Sequence, residues 1–321
     1  MEIKRMLLLL LIYASAAFPS HLIVFRGESD KFSEVVESMR SELESEFTIV
    51  EHVIRDVNPQ LVINAMKSEP EIVVLMENNS INSYIQYQRT TGDTLTPSVC
   101  LMAANVGNLI QHVKNSTAID YEVSILTTLM VLRNNNLSYV DKIGVIYRSN
   151  FGGFVEQNRK TLEQEGVELV AIEINDNNIS GSIQRELRNL HRMGVDALWI
   201  PNDNVLLNSS TISAWQSFTR TAPYPVIVGV ENLLRTNFRI GDIGNVPDHE
   251  ELGIQAASIV WEIFDNEFVV PEWLLGQTAI PFTIESSYNP DRLRRFFERR
   301  GVFTRNGITR DDVLNFDKIV K

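Results

Sequence analysis

The 321-residue chain is 44% apolar and 22% charged, which are ordinary globular proportions with room for one large domain or two of about 150 residues. Its net charge of −12 argues against nucleic acid or an anionic membrane as the main partner. Cys100 stands alone, which excludes an intramolecular disulfide and a thiolate metal site.

Residues 1–17 read as a secretory signal peptide. Lys4 and Arg5 make a positive start, residues 6–13 a short apolar run, and Ala14-Ser15-Ala16-Ala17 a small-residue cleavage region. The run is too short for a spanning helix, and no later stretch is apolar for long enough to cross a bilayer. Removing residues 1–17 takes out one acid and two bases and leaves −13. No cysteine stands near the cleavage region to carry a lipid anchor, so the expected location is the periplasm, with the protein freely diffusing.

Strand and helix patterns then alternate. Residues 21–25 are an apolar strand, and Phe32, Val35, Val36, Met39 and Leu43 follow at helical spacing. A strand over 47–53, a helix before Pro70 and a strand over 71–76 come next. The run Ile72-Val73-Val74-Leu75 suits a parallel sheet covered on both faces. A helix over 81–89, a strand over 97–102 and helices over 106–113 and 121–133 complete a first set. The cycle restarts with strands over 142–147, 168–174, 197–200, 226–230 and 240–243. Helices are predicted between them over 152–165, 179–193, 209–220 and 231–235, and a long helix follows over 249–264.

Such alternation implies right-handed βαβ units and parallel sheets. The expected fold class is α/β with two similar lobes, each a parallel sheet flanked by helices, joined by hinge crossings. The first lobe is expected over 18–135 plus part of 231–265, and the second over 136–230 plus part of 266–321. The stretch Asn134-Asn135-Asn136-Leu137-Ser138 is the candidate first crossing.

Open parallel sheets bind ligands beyond the carboxyl ends of their strands, so the loops there are the candidate site. They carry Arg26, Glu28 and Ser29; Asn78, Asn79 and Ser80; Ala104 and Asn105; Tyr147, Ser149, Asn150 and Phe151; Asn202, Asp203 and Asn204; and Glu231. Ser and Asn in such loops cap helices, and the free N–H groups there bind carboxylates. Asp203 follows the apolar run Ala197-Leu198-Trp199-Ile200. It is the candidate partner for a ligand ammonium, with a helix cap as the alternative. Phe25, Tyr84, Tyr147 and Phe151 are aromatics near these loops. Trp199, Trp215 and Trp261 read as core. No G-x-S-x-G, H-E-x-x-H, P-loop or G-x-G-x-x-G occurs, and the five histidines lack metal spacing, so no catalytic residue, metal or cofactor is expected. The basic stretch over 292–300 reads as a solvated face or a docking surface.

The second half resembles the substrate-binding proteins of ABC transporters with the type I periplasmic binding fold, nearest the subfamily associated with tryptophan and tyrosine. The residues concerned are Ile143-Gly144-Val145-Ile146-Tyr147, Gly194-Val195-Asp196-Ala197-Leu198-Trp199-Ile200-Pro201-Asn202-Asp203-Asn204, Tyr224-Pro225-Val226-Ile227-Val228-Gly229 and Glu251-Leu252-Gly253-Ile254-Gln255-Ala256-Ala257. In that family a Thr-Asp-Asn stretch stands where Asn202-Asp203-Asn204 does, and its acid contacts the ligand. The family's Thr-Asp-Pro is absent at Ala103-Ala104-Asn105, and its Thr-Gly-Val-Ser is replaced by Thr117-Ala118-Ile119-Asp120. The resemblance implies capture of a small molecule, an amino acid or aromatic metabolite, for delivery to a membrane permease. The alternatives are a ligand-sensing module for a receptor kinase or chemoreceptor, and a secreted enzyme on the same scaffold.

Overall fold

The computed structural model describes residues 20–135, 140–175, 177–235, 237–293 and 316–320. The signal-peptide reading, Asn136-Leu137-Ser138 and the basic stretch beyond Leu293 lie outside the described residues.

The first half builds β1 (Ser20–Arg26), α1 (Asp30–Leu43), β2 (Phe47–Val53), α2 (Pro59–Ala65), β3 (Ile72–Met76), α3 (Glu77–Thr91), β4 (Ser98–Leu101), α4 (Val106–Leu109) and β5 (Ser116–Ile119). The second half continues with α5 (Ile125–Asn134), β6 (Lys142–Tyr147), α6 (Gly152–Gln164), β7 (Glu168–Glu173), α7 (Ile179–Arg192), β8 (Ala197–Ile200), α8 (Ile212–Thr219), β9 (Val226–Val228) and β10 (Ile243–Pro247). After these come α9 (His249–Asp265), β11 (Thr278–Ala279), β12 (Ile284–Tyr288) and β13 (Lys318–Ile319). Helix starts follow local chemistry: Ser29, Asn58, Ser124, Asn178 and Asp248 each accept a backbone N–H of the first turn with their side chains.

Two sheets form. One has the order β11-β5-β4-β3-β1-β2, the other β13-β12-β10-β9-β8-β6-β7. Every pairing is parallel except β10 with β12. Each sheet is covered on both faces, as the fully buried runs of β3, β4, β8 and β9 require. In the first lobe α1 and α9 pack on one face, and Tyr84, Ile85, Val106 and Ile110 on the other. Gly253 lets α9 approach α1: a Cβ there would stand 2.5 Å from the Val35 carbonyl oxygen.

Core membership fixes where the chain changes lobe. Ile125, Leu129 and Leu132 of α5 belong to the second core, and β5 belongs to the first sheet. The first crossing is therefore Asp120–Ser124, ahead of the stretch beginning at Asn134. The second is at Asp248, between β10 and α9, and the third lies between Ala279 and Ile284. The crossings touch: Asp248 N–H donates to Thr283 O at 3.1 Å, and the Tyr121 hydroxyl meets His249 Nε2 at 2.9 Å.

The structure departs from the predicted elements in the first half. The helix expected over 121–133 starts at Ile125, and the one expected over 106–113 is one α-turn followed by a 3₁₀ turn, Ile110–His112. Strand β5 was not expected, because Ser116-Thr117-Ala118-Ile119 has one large apolar side chain. In the second half the strand expected over 240–243 lies further on, at Ile243–Pro247.

Candidate functional site

Parallel strands in each sheet end on the same side, so the loops after β3, β4 and β5 form one rim and those after β6, β8 and β9 the other. The rims meet. Asn204 Nδ2 donates to Asn78 Oδ1 at 3.3 Å, and the Asn150 carbonyl accepts from Asn105 Nδ2 at 3.0 Å and Asn108 Nδ2 at 2.8 Å. Further out, Lys31 of the first lobe stands 3.8 Å from Glu231 of the second.

The first-lobe rim is held by amides and by unusual backbone. Asn78 clamps Ala104, donating to its carbonyl at 2.9 Å and accepting its N–H at 3.0 Å. Asn79 donates to the Arg55 carbonyl at 2.9 Å. Glu77, Met102 and Asn105 all have left-handed φ, of 69°, 53° and 56°. Glu77 and Met102 directly follow β3 and β4, and Asn105 stands at the start of α4. The carboxyl groups here are poorly solvated. Burial raises Glu77 to about 7, Asp120 to about 6 and Glu122 to about 8. Glu122 is also pushed up by Asp120 and Asp203, and Oε1 accepts the Asn105 N–H at 2.9 Å.

The second-lobe rim is held by an ion pair. Arg148 grips Asp203 with two bonds, Nε to Oδ2 at 2.8 Å and an Nη to Oδ1 at 2.9 Å. Oδ1 also accepts the N–H groups of Val205 at 2.8 Å and Leu206 at 3.2 Å. Asp203 is 1% exposed. Its oxygens are bonded by Arg148 and by a turn, so in this structure it orders the rim. The cap alternative is also modified, because the next helix starts only at Ile212.

Other expected site residues are placed apart from this centre. Arg26 pairs with Glu51 at 2.7 Å and Glu28 with Arg55 at 2.6 Å. Arg26 and Glu28 line an open hollow with Ser33, Val53 and Arg55 at the end of β1 and β2. Ser29 caps α1. Ser80 is fully buried, and its hydroxyl has no partner among the described residues. Phe151 sits in the core, in the 3₁₀ turn Ser149–Phe151. Tyr147 packs against that core from a partly buried position, and burial raises its pKa. Glu231 bonds Lys318 at 3.0 Å.

Beneath the meeting rims lies a cavity, about one water molecule in size. Its walls are the first crossing (Tyr121, Glu122, Val123), the ends of β8 and β9 (Trp199, Pro201, Asn202, Ile227, Val228, Gly229), Thr128 and Asn245. Asn202 was expected at the site. Trp199 was read as core, and is both core and wall. Tyr121, Glu122 and Asn245 were missed. The missed strand β5 concealed that Tyr121 and Glu122 are strand-end residues, and Asn245 lies inside β10. Arg148 stood in a recognised loop, but its partner could not be read from the sequence.

No family model and no curated protein matches the chain. Solved structures do match, at low identity. A ligand-free, open substrate-binding protein with adhesive properties from Clostridium difficile aligns with a TM-score of 0.65 and 14% identity, over 95% of this chain and 100% of that one. An ABC domain in complex with L-Trp from Streptococcus pneumonia aligns at 0.59 and 15%, over 94% and 100%. A leucine-binding protein from Thermotoga maritima aligns at 0.51 and 12%, over 80% of this chain and 86% of that one. The fold is type I periplasmic-binding-protein-like. Two mostly parallel sheets flanked by helices, joined at three crossings, make it so. No helix among the described residues is long and apolar enough to cross a membrane.

Proposed function

We propose that this chain is an exported solute-binding protein that captures a small molecule between its lobes and presents the closed form to an ABC permease. One observation carries the reading. The carboxyl ends of two parallel sheets face each other across a cleft whose rims touch through amide side chains, and three adjacent crossings allow the lobes to part and close. Substrate-binding proteins with the same fold, one of them holding L-Trp, support the same use of the cleft here, with an amino acid or aromatic metabolite as the ligand.

The ligand-contacting groups in this reading are Asn78, Asn105, Asn150, Asn202 and Asn204 on the two rims, with Ala104 positioned by Asn78. Arg148 and Asp203 hold the second rim in shape. The chain binds without turnover, needs no cofactor, and works in the periplasm after loss of residues 1–17. The test is the melting temperature of the purified protein across a metabolite collection. A ligand at one hundred times its Kd stabilises by about 2.7 kcal/mol, a shift readily measured. A flat response across amino acids, aromatic acids, sugars and amines would remove the proposal.

A further inference from the structure

Two groups in the hinge cavity remain unexplained by the fold. Asn245 is 2% exposed and lines the cavity; Nδ2 donates to Thr128 Oγ1 at 3.0 Å, while Oδ1 has no partner. A buried acceptor left unmatched costs about 1–3 kcal/mol, so it is expected to serve something. Glu122 lines the same cavity; among the described residues its carboxyl group accepts the Asn105 N–H at 2.9 Å and pairs with no basic side chain. Tyr121 and Trp199 complete the walls with aromatic rings.

We propose that this cavity is a subsite for the protonated amine of the ligand, held by the Glu122 carboxylate and the Asn245 side-chain oxygen against the rings of Tyr121 and Trp199. The inference rests on the solute-binding reading above and names the ligand class: small molecules bearing a primary ammonium group. The cavity has about the volume of a water molecule, and an ammonium head is of that size. Asn245 Oδ1 is an unmatched acceptor and the Glu122 carboxylate accepts only the Asn105 N–H among the described residues, so together they select a donor with several N–H bonds, which an ammonium provides and an ether or carboxylate does not. The electrostatics agree. Asp120 and Asp203 both act on Glu122 as like charges, so a cation relieves what burial and repulsion impose. Asp203, by contrast, is already paired with Arg148.

The test is titration calorimetry of the full-length secreted protein, after unfolding and refolding to strip retained ligand, with matched pairs: tryptamine and tryptophol, tyramine and tyrosol, putrescine and 1,4-butanediol. L-Tryptophan is added as an amine that also carries a carboxylate. We expect at least one amine to bind about 10- to 100-fold tighter than its alcohol partner, the range set by charge-assisted hydrogen bonds. Glu122→Gln and Asn245→Leu should each collapse that ratio toward one. Glu122→Gln keeps an acceptor for the Asn105 N–H, so it preserves the fold if Asn245→Leu does not. Equal binding of amine and alcohol, or a ratio unchanged in both variants, would overturn this inference and leave the solute-binding reading standing. If no compound of either series binds, and none of the wider metabolite collection does, both fall together.

Discussion

The two rims of the cleft solve the same problem in opposite ways. The second-lobe rim is electrostatically complete: Arg148 and Asp203 make a two-pronged pair, and two backbone N–H groups finish the carboxylate's coordination. The first-lobe side is incomplete. Its carboxyl groups at Glu77, Asp120 and Glu122 are desolvated without a basic partner among the described residues, and three non-glycine residues there hold left-handed backbone. A rim that is finished can act as a fixed wall. A rim that holds left-handed backbone and desolvated carboxyl groups has more to gain from a partner, so under the proposed solute-binding function the ligand's strongest contacts are expected on the first lobe and the hinge.

The largest effect should come from breaking the finished rim. Asp203→Ala removes both prongs of the ion pair and two turn bonds, and should cost about 3 kcal/mol in urea unfolding. A cost below about 1 kcal/mol would show that the pair does not order this rim. Glu122→Gln on the unfinished side should have the opposite sign. Its folded pKa, about 8, lies above the ordinary 4.5, so the proton is held more tightly in the folded chain. Stability from that proton is full below 4.5 and lost as pH rises through 8. The variant should therefore gain about 1–3 kcal/mol over the parent at pH 9 and little at pH 4, read from melting curves in the two buffers.

Asn78→Ala removes both bonds to Ala104 and the contact with Asn204, and should cost about 1–2 kcal/mol. The smallest effect on stability is expected for the double change Asn105→Gly and Asn108→Ala, glycine keeping the left-handed backbone of position 105 free of strain. It removes two bonds across the cleft and leaves each core intact. Unfolding should shift by less than about 1 kcal/mol, while small-angle scattering should show a larger radius of gyration as the lobes part. An unchanged radius would mean that these amides do not hold the rims together.

Much of the fold was legible in the sequence, for a physical reason. Strands such as Lys142–Tyr147 and Ala197–Ile200 are near-continuous apolar runs ended by polar loops, and their bounds agree with the structure. Ser116–Ile119 escaped because small and hydroxyl side chains fill an interior strand there, and β11 is only Thr278–Ala279. Missing β5 misplaced the first crossing and with it Tyr121 and Glu122, the residues nearest the cavity. The candidate loops were recognisable from strand ends, but their pairings were not. Arg148 and Asp203 lie on different strand-end loops, and only the packing of β6 beside β8 brings them together. Asn245 looks like any polar residue in a strand until its neighbours in β9 and β12 are known.

The central claim is that the two lobes close on a small molecule. Native mass spectrometry of the protein purified from its own cells tests it most directly. The account predicts a mass excess under gentle conditions that disappears on denaturation and returns when the released compound is added back, with the compound chemically unchanged. A protein that carries no excess mass and regains none from the metabolites of those cells, or one that returns the compound transformed, would contradict it.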